Sequence, residues 1–121
     1  MLIAYFDEVK PSLPDQPYYW LGGLVIDDEI IPDIEKEINA LAVKCFGANS
    51  GISKQTEFHA TDIASGKKNF KKLTNPSKRF DIIKELVKIY DKPDKVYRVT
   101  VRLDVSKLYS GTNEEEMALM Y

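Results

Sequence analysis

Two acids stand side by side near the start of the chain, where Asp7 and Glu8 close the apolar run LIAYFDE (residues 2–8). A carboxylate at the carboxyl end of a strand can face a cleft while the sheet holds its backbone rigid. Hard divalent cations such as Mg2+ or Mn2+ are held by a few such oxygens together with water. A two-metal centre needs more, at least three or four carboxylates converging from separate elements. The plainer reading is a strand that ends in solvent beside a proline-rich loop. The only histidine, His59, lies in EFHATD. Glu57 and His59 are two apart, so both project from the same face if this segment is extended. A neutral imidazole takes a proton or binds metal, and a charged one hydrogen-bonds a phosphate. Equally, His59 suits a surface turn in which Thr61 or Asp62 satisfies it.

SGKKNFKK follows directly. Lys67, Lys68, Lys71 and Lys72 can meet a nucleic-acid backbone, and Phe70 between them can stack on a base. The same spacing suits an exposed helical face with Phe70 packed inward. The segment lacks the GxxxxGK[ST] spacing of a phosphate-binding loop, and the chain carries neither a Gly-rich dinucleotide fingerprint nor GxSxG.

These residues need elements to position them. Leu2 to Asp7 alternates as a strand, with Ile3, Tyr5 and Asp7 on one face and Leu2, Ala4, Phe6 and Glu8 on the other. KPSLPDQP, with three prolines in eight residues, is a loop. Tyr18 to Ile26 is apolar on both faces, as a central or helix-covered strand is, and a loop of this length predicts an antiparallel pair. Gly22-Gly23 predicts a bulge or a close backbone approach. A helix follows, capped by Asp27 or Asp28 and ended by Gly47. Residues 47–55 read as a flexible connector. EFHATDIASGKKNF reads as a strand or turn leading into one helical turn. Asn75 caps the clearest helix, with Pro76 at its first position, Phe80, Ile83, Leu86, Val87 and Tyr90 as its stripe, and Pro93 beyond its end. KVYRVTVRLDV sets Val96, Arg98, Thr100 and Arg102 against Tyr97, Val99, Val101 and Leu103, a mixed face and an apolar face. Thr112 or Asn113 starts a last helix with three glutamates in its first turn. The expected order is β-β-α-(short α)-α-β-α within one domain over residues 1–121. The last helical pattern breaks off after about two turns, which predicts that the natural chain continues.

The 121 residues suffice for one core, and 44% hydrophobic with 30% charged residues is ordinary for a soluble globular protein. The longest apolar run, Tyr18 to Ile26, is too short to cross a bilayer, so no membrane role is expected. No signal-peptide pattern opens the chain. One cysteine, Cys45, and one histidine exclude an internal disulfide and a Cys/His zinc site, and a reducing cytoplasm is the natural compartment. The net charge of −2 conceals a division. Residues 51–84 hold eight basic and three acidic side chains, whereas residues 1–50 hold three basic and nine acidic. A basic segment beside an acidic one suits a site for a cation and an anionic polymer together. A solvated lysine-rich loop has the same composition.

In order and wording, AYFDE, then YYWLGGLVIDDE, then EFHATDIASGKKNF, then SKRFDIIKEL resembles the domain-of-unknown-function family 3800, whose members look like ribonuclease-H-like proteins. The resemblance covers nearly the whole chain but only the front half of a typical member. It implies a ribonuclease-H-like α/β fold with a mixed sheet flanked by helices. It also implies a site dependent on Mg2+ or Mn2+ where the first strand ends, for hydrolysis of a nucleic-acid phosphodiester. Asp7 and Glu8 match the family's Asp-Glu, Glu57 and His59 its Glu-x-His, Gly66-Lys67 its Gly-Lys, and Leu21-Gly22-Gly23 its second-strand signature. On this resemblance Asp7 and Glu57 are the metal ligands, Asp7, Glu8, Glu57 and His59 the catalytic set, and the four lysines the guides of the nucleic acid. Two departures stand out. Val9-Lys10 replaces the family's Ser-Gly, and the further acids of the family's C-terminal half have no counterpart here. A non-catalytic nucleic-acid- or protein-binding module of a phage or phage-defence system is the alternative. A homo-oligomer is expected if the sheet leaves apolar surface open.

Overall fold

A computed structural model describes residues 1–47, 57–108 and 113–120. The elements are β1 (Leu2–Val9), β2 (Tyr18–Asp27), α1 (Ile31–Phe46), α2 (Ala60–Ser65), α3 (Pro76–Tyr90), β3 (Val96–Asp104) and α4 (Glu114–Met120), in the expected order. The fold is mixed α/β, but the expected mixed sheet is not found among the described residues: both strand pairs of the one open sheet, of order β1-β2-β3, are antiparallel. No helix among the described residues is long and apolar enough to cross a membrane. Two compact units divide the chain, one of Met1–Asp28 with Asp94–Tyr121, the other of Glu29–Pro93.

In the first unit β2 is the central strand, as its two apolar faces predict. It pairs with β1 from Leu2↔Asp27 to Val9↔Trp20 and with β3 from Tyr18↔Asp104 to Ile26↔Val96. Tyr19 and Leu21 are buried with Ala118 of α4, and Val101, Leu103 and Val105 pack against them. This is the face that the alternation of β3 marks as apolar. α4 starts as expected on Asn113, whose Oδ1 accepts the N–H groups of Glu115 (2.9 Å) and Glu116 (3.2 Å). Thr112, the other candidate cap, lies outside the described residues.

The glycine pair makes no bulge, because Asp7↔Gly22, Phe6↔Gly23, Gly22↔Thr100 and Gly23↔Val99 keep the ladder continuous. Its two members differ sharply. A Cβ on Gly23 would lie 2.6 Å from Phe6 Cε1 and 3.0 Å from the Tyr5 carbonyl oxygen, so the close approach expected here is real and is made mainly by a ring. A Cβ on Gly22 would meet nothing within 4 Å.

Neither Asp27 nor Asp28 caps α1. β2 runs on to Asp27 and a 3-10 turn follows, so α1 opens on Ile30 without a side-chain cap and with Pro32 in its first turn. The two acids serve the sheet end instead. Asp27 Oδ2 accepts from Lys95 Nζ at 2.9 Å, and Asp28 Oδ1 from the Met1 ammonium at 2.9 Å.

In the second unit α3 packs on α1 and α2. Ile34, Leu41 and Ala42 of α1, Ile63 of α2 and Ile82 and Ile89 of α3 are buried. Asn75 caps α3 as expected, its Oδ1 accepting Ser77 N–H at 3.0 Å, and Gly47 ends α1 at φ 108°. The stripe expected on α3 is displaced: Ile82 and Ile89 turn inward, whereas Phe80 and Val87 are 52% and 57% exposed. Apolar residues occur on two sides of this helix, so periodicity alone does not select the side that meets α1 and α2. Phe70 is 1% exposed and packs against Phe46 and Phe58, with ring centroids 5.4 and 6.2 Å away. Beyond Gly47, the connector expected over 47–55 lies outside the described residues.

The glycine contrast gives a direct test. Gly23→Val should lower stability by about 1–3 kcal/mol through overpacking against Phe6 and the Tyr5 carbonyl. Gly22→Val should change it by less than about 0.5 kcal/mol. The midpoints of urea unfolding check both values.

Candidate nucleic-acid site on the sheet

Residues opposite one another in an antiparallel pair share a face, so the register alone assembles the site. Three rows cross the open face of the sheet. Tyr5, Leu24 and Arg98 form one, Asp7, Gly22 and Thr100 the next, and Val9, Trp20 and Arg102 the third. Glycine stands at the centre, where any other residue would raise a side chain. The result is an open groove of about 900 Å3, lined by Tyr5, Asp7, Val9, Trp20, Arg98 and Thr100 among others, with Gly22 in its floor.

Its walls are aromatic and only half covered, with Tyr5 51% and Trp20 37% exposed. The Arg102 guanidinium lies 4.7 Å from the Tyr18 ring centroid and 5.6 Å from that of Trp20, and the Tyr18 and Trp20 rings meet edge to face at 6.3 Å. Arg102 therefore braces the tryptophan from outside the groove. Asp7 is exposed, and its Oδ1 accepts Glu8 N–H at 2.9 Å. No cation among the described residues is paired with Asp7, and no carboxylate with Arg98.

β1 runs through Asp7 and Glu8 to Val9 without bending out of register, so the two acids leave on opposite faces. Glu8 belongs with Tyr19. Burial raises the Tyr19 phenol above its ordinary value, and the charges of Glu115, Glu8 and Glu114 raise it further.

Glu57, His59 and the lysines belong to the second unit. His59 holds an extended backbone at the start of α2, and its Nε2 lies 3.0 Å from Glu57 Oε1. The two are thus brought together, both about half exposed, and Glu57 rather than Thr61 or Asp62 is the partner of the imidazole. Lys68 is not a free guide. Its Nζ sits 2.9 Å from Asp62 Oδ2, a carboxylate only 16% exposed, and its backbone takes φ 52°. Lys67, Lys71 and Lys72 remain exposed, and Phe70 is core rather than a stacking platform.

Arg79 holds this segment in place. Its Nη1 donates to the carbonyls of Leu73 (2.7 Å) and Thr74 (3.2 Å), and its Nη2 to that of Ala64 (3.4 Å). The same guanidinium fills the space where a Cβ on Gly66 would stand, 3.2 Å from Nη1, and Gly66 takes the left-handed φ of 64°. Cys45 is half-buried, and burial raises its thiol above the ordinary value, with Lys44 opposing.

Among the described residues no group of three or more His, Cys, Asp or Glu side chains is placed to hold a metal ion. Trp20, Arg98, Thr100 and Arg102 were not singled out by residue type. The signal for them was the alternation of β3 laid in register against Gly22.

Hydrogen bonding to Asp62 raises Lys68 above the ordinary lysine value, aided by the charges of Asp62 and Glu57 against the effect of burial. A raised cation stabilises the fold fully below the ordinary lysine value, and that contribution is lost as pH rises through the raised one. Asp62→Asn should return the Lys68 ammonium toward the ordinary value in an NMR titration and remove this contribution at neutral pH, while leaving stability above the raised value unchanged.

Compared with known proteins, the chain matches no family model, no curated protein and no solved structure.

Proposed function

We propose that the chain acts as a metal-dependent nuclease or phosphodiesterase of ribonuclease-H-like fold on nucleic acid in the reducing cytoplasm. The observation that carries the proposal is the placement of Asp7. It is an exposed carboxylate without a cationic partner among the described residues, fixed on a paired strand at one end of a groove that has Thr100 and Arg98 on the far strand. The ribonuclease-H-like architecture requires a mixed sheet. The described strands form an antiparallel sheet with β1 at its edge.

Mg2+ takes one or two carboxylates, several waters and substrate phosphate oxygens. Asp7 suits that donor set as a single ligand, with Glu8 N–H orienting its carboxylate. Bound there, a divalent cation supplies neutralisation of phosphate charge and a more acidic water. Arg98 offers a second positive group to the phosphate, and Thr100 a hydroxyl. In the other unit, the Glu57–His59 pair holds an imidazole able to accept or return a proton, and Lys67, Lys71 and Lys72 attract the polyanion.

A binding module without catalysis is the second reading. It is favoured by the lack of a three-ligand cluster among the described residues.

Two measurements separate these readings. With Mn2+ or Mg2+, Asp7→Asn should lower phosphodiester cleavage by about a hundredfold or more. Its melting temperature without metal should stay close to wild type, because Asp7 is exposed. A wild-type chain that neither cleaves nor shifts its melting temperature with either metal leaves the binding module. For the lysines, Lys71→Ala should reduce the slope of log affinity against log salt by about 0.7–0.9. Lys68→Ala should reduce it less, because Asp62 already neutralises that ammonium.

A further inference from the structure

We infer that the hollow over Gly22 seats one unpaired nucleotide, so that the substrate is single-stranded nucleic acid. This rests on the nuclease reading for the class of substrate and adds the form in which it is recognised.

The hollow is one side chain deep, and a Cβ placed there would meet nothing within 4 Å. Along β2 its walls are Trp20 and Leu24, about 13 Å apart at the strand rise. Across the sheet its ends are Asp7 and Thr100, about 10 Å apart at the usual strand spacing. After the walls take their contact distance, this leaves space for one planar ring. Tyr5 and Trp20 present half-exposed aromatic surface to it. A base in a duplex is stacked above and below and offers only its edges to the grooves. An aromatic-walled hollow in the face of a sheet therefore takes a base that has left the stack, as in other single-strand binders.

The charges fit the rest of the nucleotide. Arg98 stands beside the hollow on β3 with no carboxylate partner among the described residues, and it suits a phosphate oxygen. Asp7, at the other end, repels a bare phosphate and so orients the strand, unless a cation lies between them. The bracing of Trp20 by Arg102 and Tyr18 holds the wall ready before a ligand arrives.

Trp20 is the chain's only tryptophan and lines this hollow, so its fluorescence is a probe of the site. The full chain is titrated in EDTA with an oligothymidylate of about ten nucleotides and with a duplex of the same length. Saturable quenching is expected from the single strand, with the duplex at least about tenfold weaker. Gly22→Leu should abolish the quenching with an unchanged circular dichroism spectrum. Arg98→Ala, at an exposed position, should weaken it about tenfold, and it decides the matter if Gly22→Leu does not fold. Equal binding of duplex and single strand, quenching that survives Gly22→Leu, an affinity of Arg98→Ala equal to wild type, or equal displacement by a polyglutamate peptide would each overturn the proposal. Cleavage is assayed with Mn2+ on the same preparations. Quenching without cleavage keeps the seat and removes the nuclease reading. Cleavage without quenching removes the seat and keeps the nuclease.

Discussion

Full pairing of β2 on both sides is the constraint from which the rest of the sheet follows. With β1 and β3 both antiparallel to it and unbroken in register, every residue of the three strands is assigned a neighbour and a face. Tyr19 and Leu21 go to the side that Ala118 closes, and Trp20, Gly22 and Leu24 go to the side that stays open. Asp7 owes its place to the same arithmetic. It is an edge-strand residue whose partner on the central strand is a glycine, so its carboxylate borders a hollow rather than another side chain.

The second unit is organised differently. Its basic segment is held by packing and by one guanidinium rather than by a ladder. Phe70 anchors it from below, between Phe46 and Phe58, while Arg79 gathers three carbonyls from both sides of the lysines. The Nε of Arg79 is buried without a partner among the described residues, and such a group is tolerated where the rest of the side chain is heavily used. The charged residues of this segment thus divide into those that fix it, Asp62, Lys68 and Arg79, and those left to the solvent, Lys67, Lys71 and Lys72.

Much of the fold was legible because the responsible signals are local. Asn75-Pro76 marks the start of α3, Gly47 the end of α1 and Asn113 the start of α4, and each acts through its own backbone or the next turn. The alternation of β1 and β3 likewise placed Asp7 opposite in face to Glu8, and Arg98 with Arg102. What the chain did not disclose was pairwise. No local pattern says that Gly22 faces Asp7 while Gly23 carries the ring of Phe6, since that depends on register across two strands. Nor does any local pattern say which apolar side of α3 turns inward, because Ile82 with Ile89 and Phe80 with Val87 have the same periodicity. The Asp27 and Asp28 caps failed for a related reason: the strand continued through the first acid, and both carboxylates found ammonium partners across the sheet end.

The two adjacent glycines are not interchangeable, and this ties the integrity of the groove to the length of the chain around it. Deleting or inserting one residue in β2 ahead of the pair would turn each glycine to the opposite side of the sheet. An insertion would bring Leu21 beside Asp7 and fill the hollow, whereas a deletion would bring Gly23 there but set Leu24 against the ring of Phe6. Changes of sequence in these strands can be frequent, but changes of count are nearly forbidden, and related chains should vary in length at the proline-rich turn and between the helices rather than here.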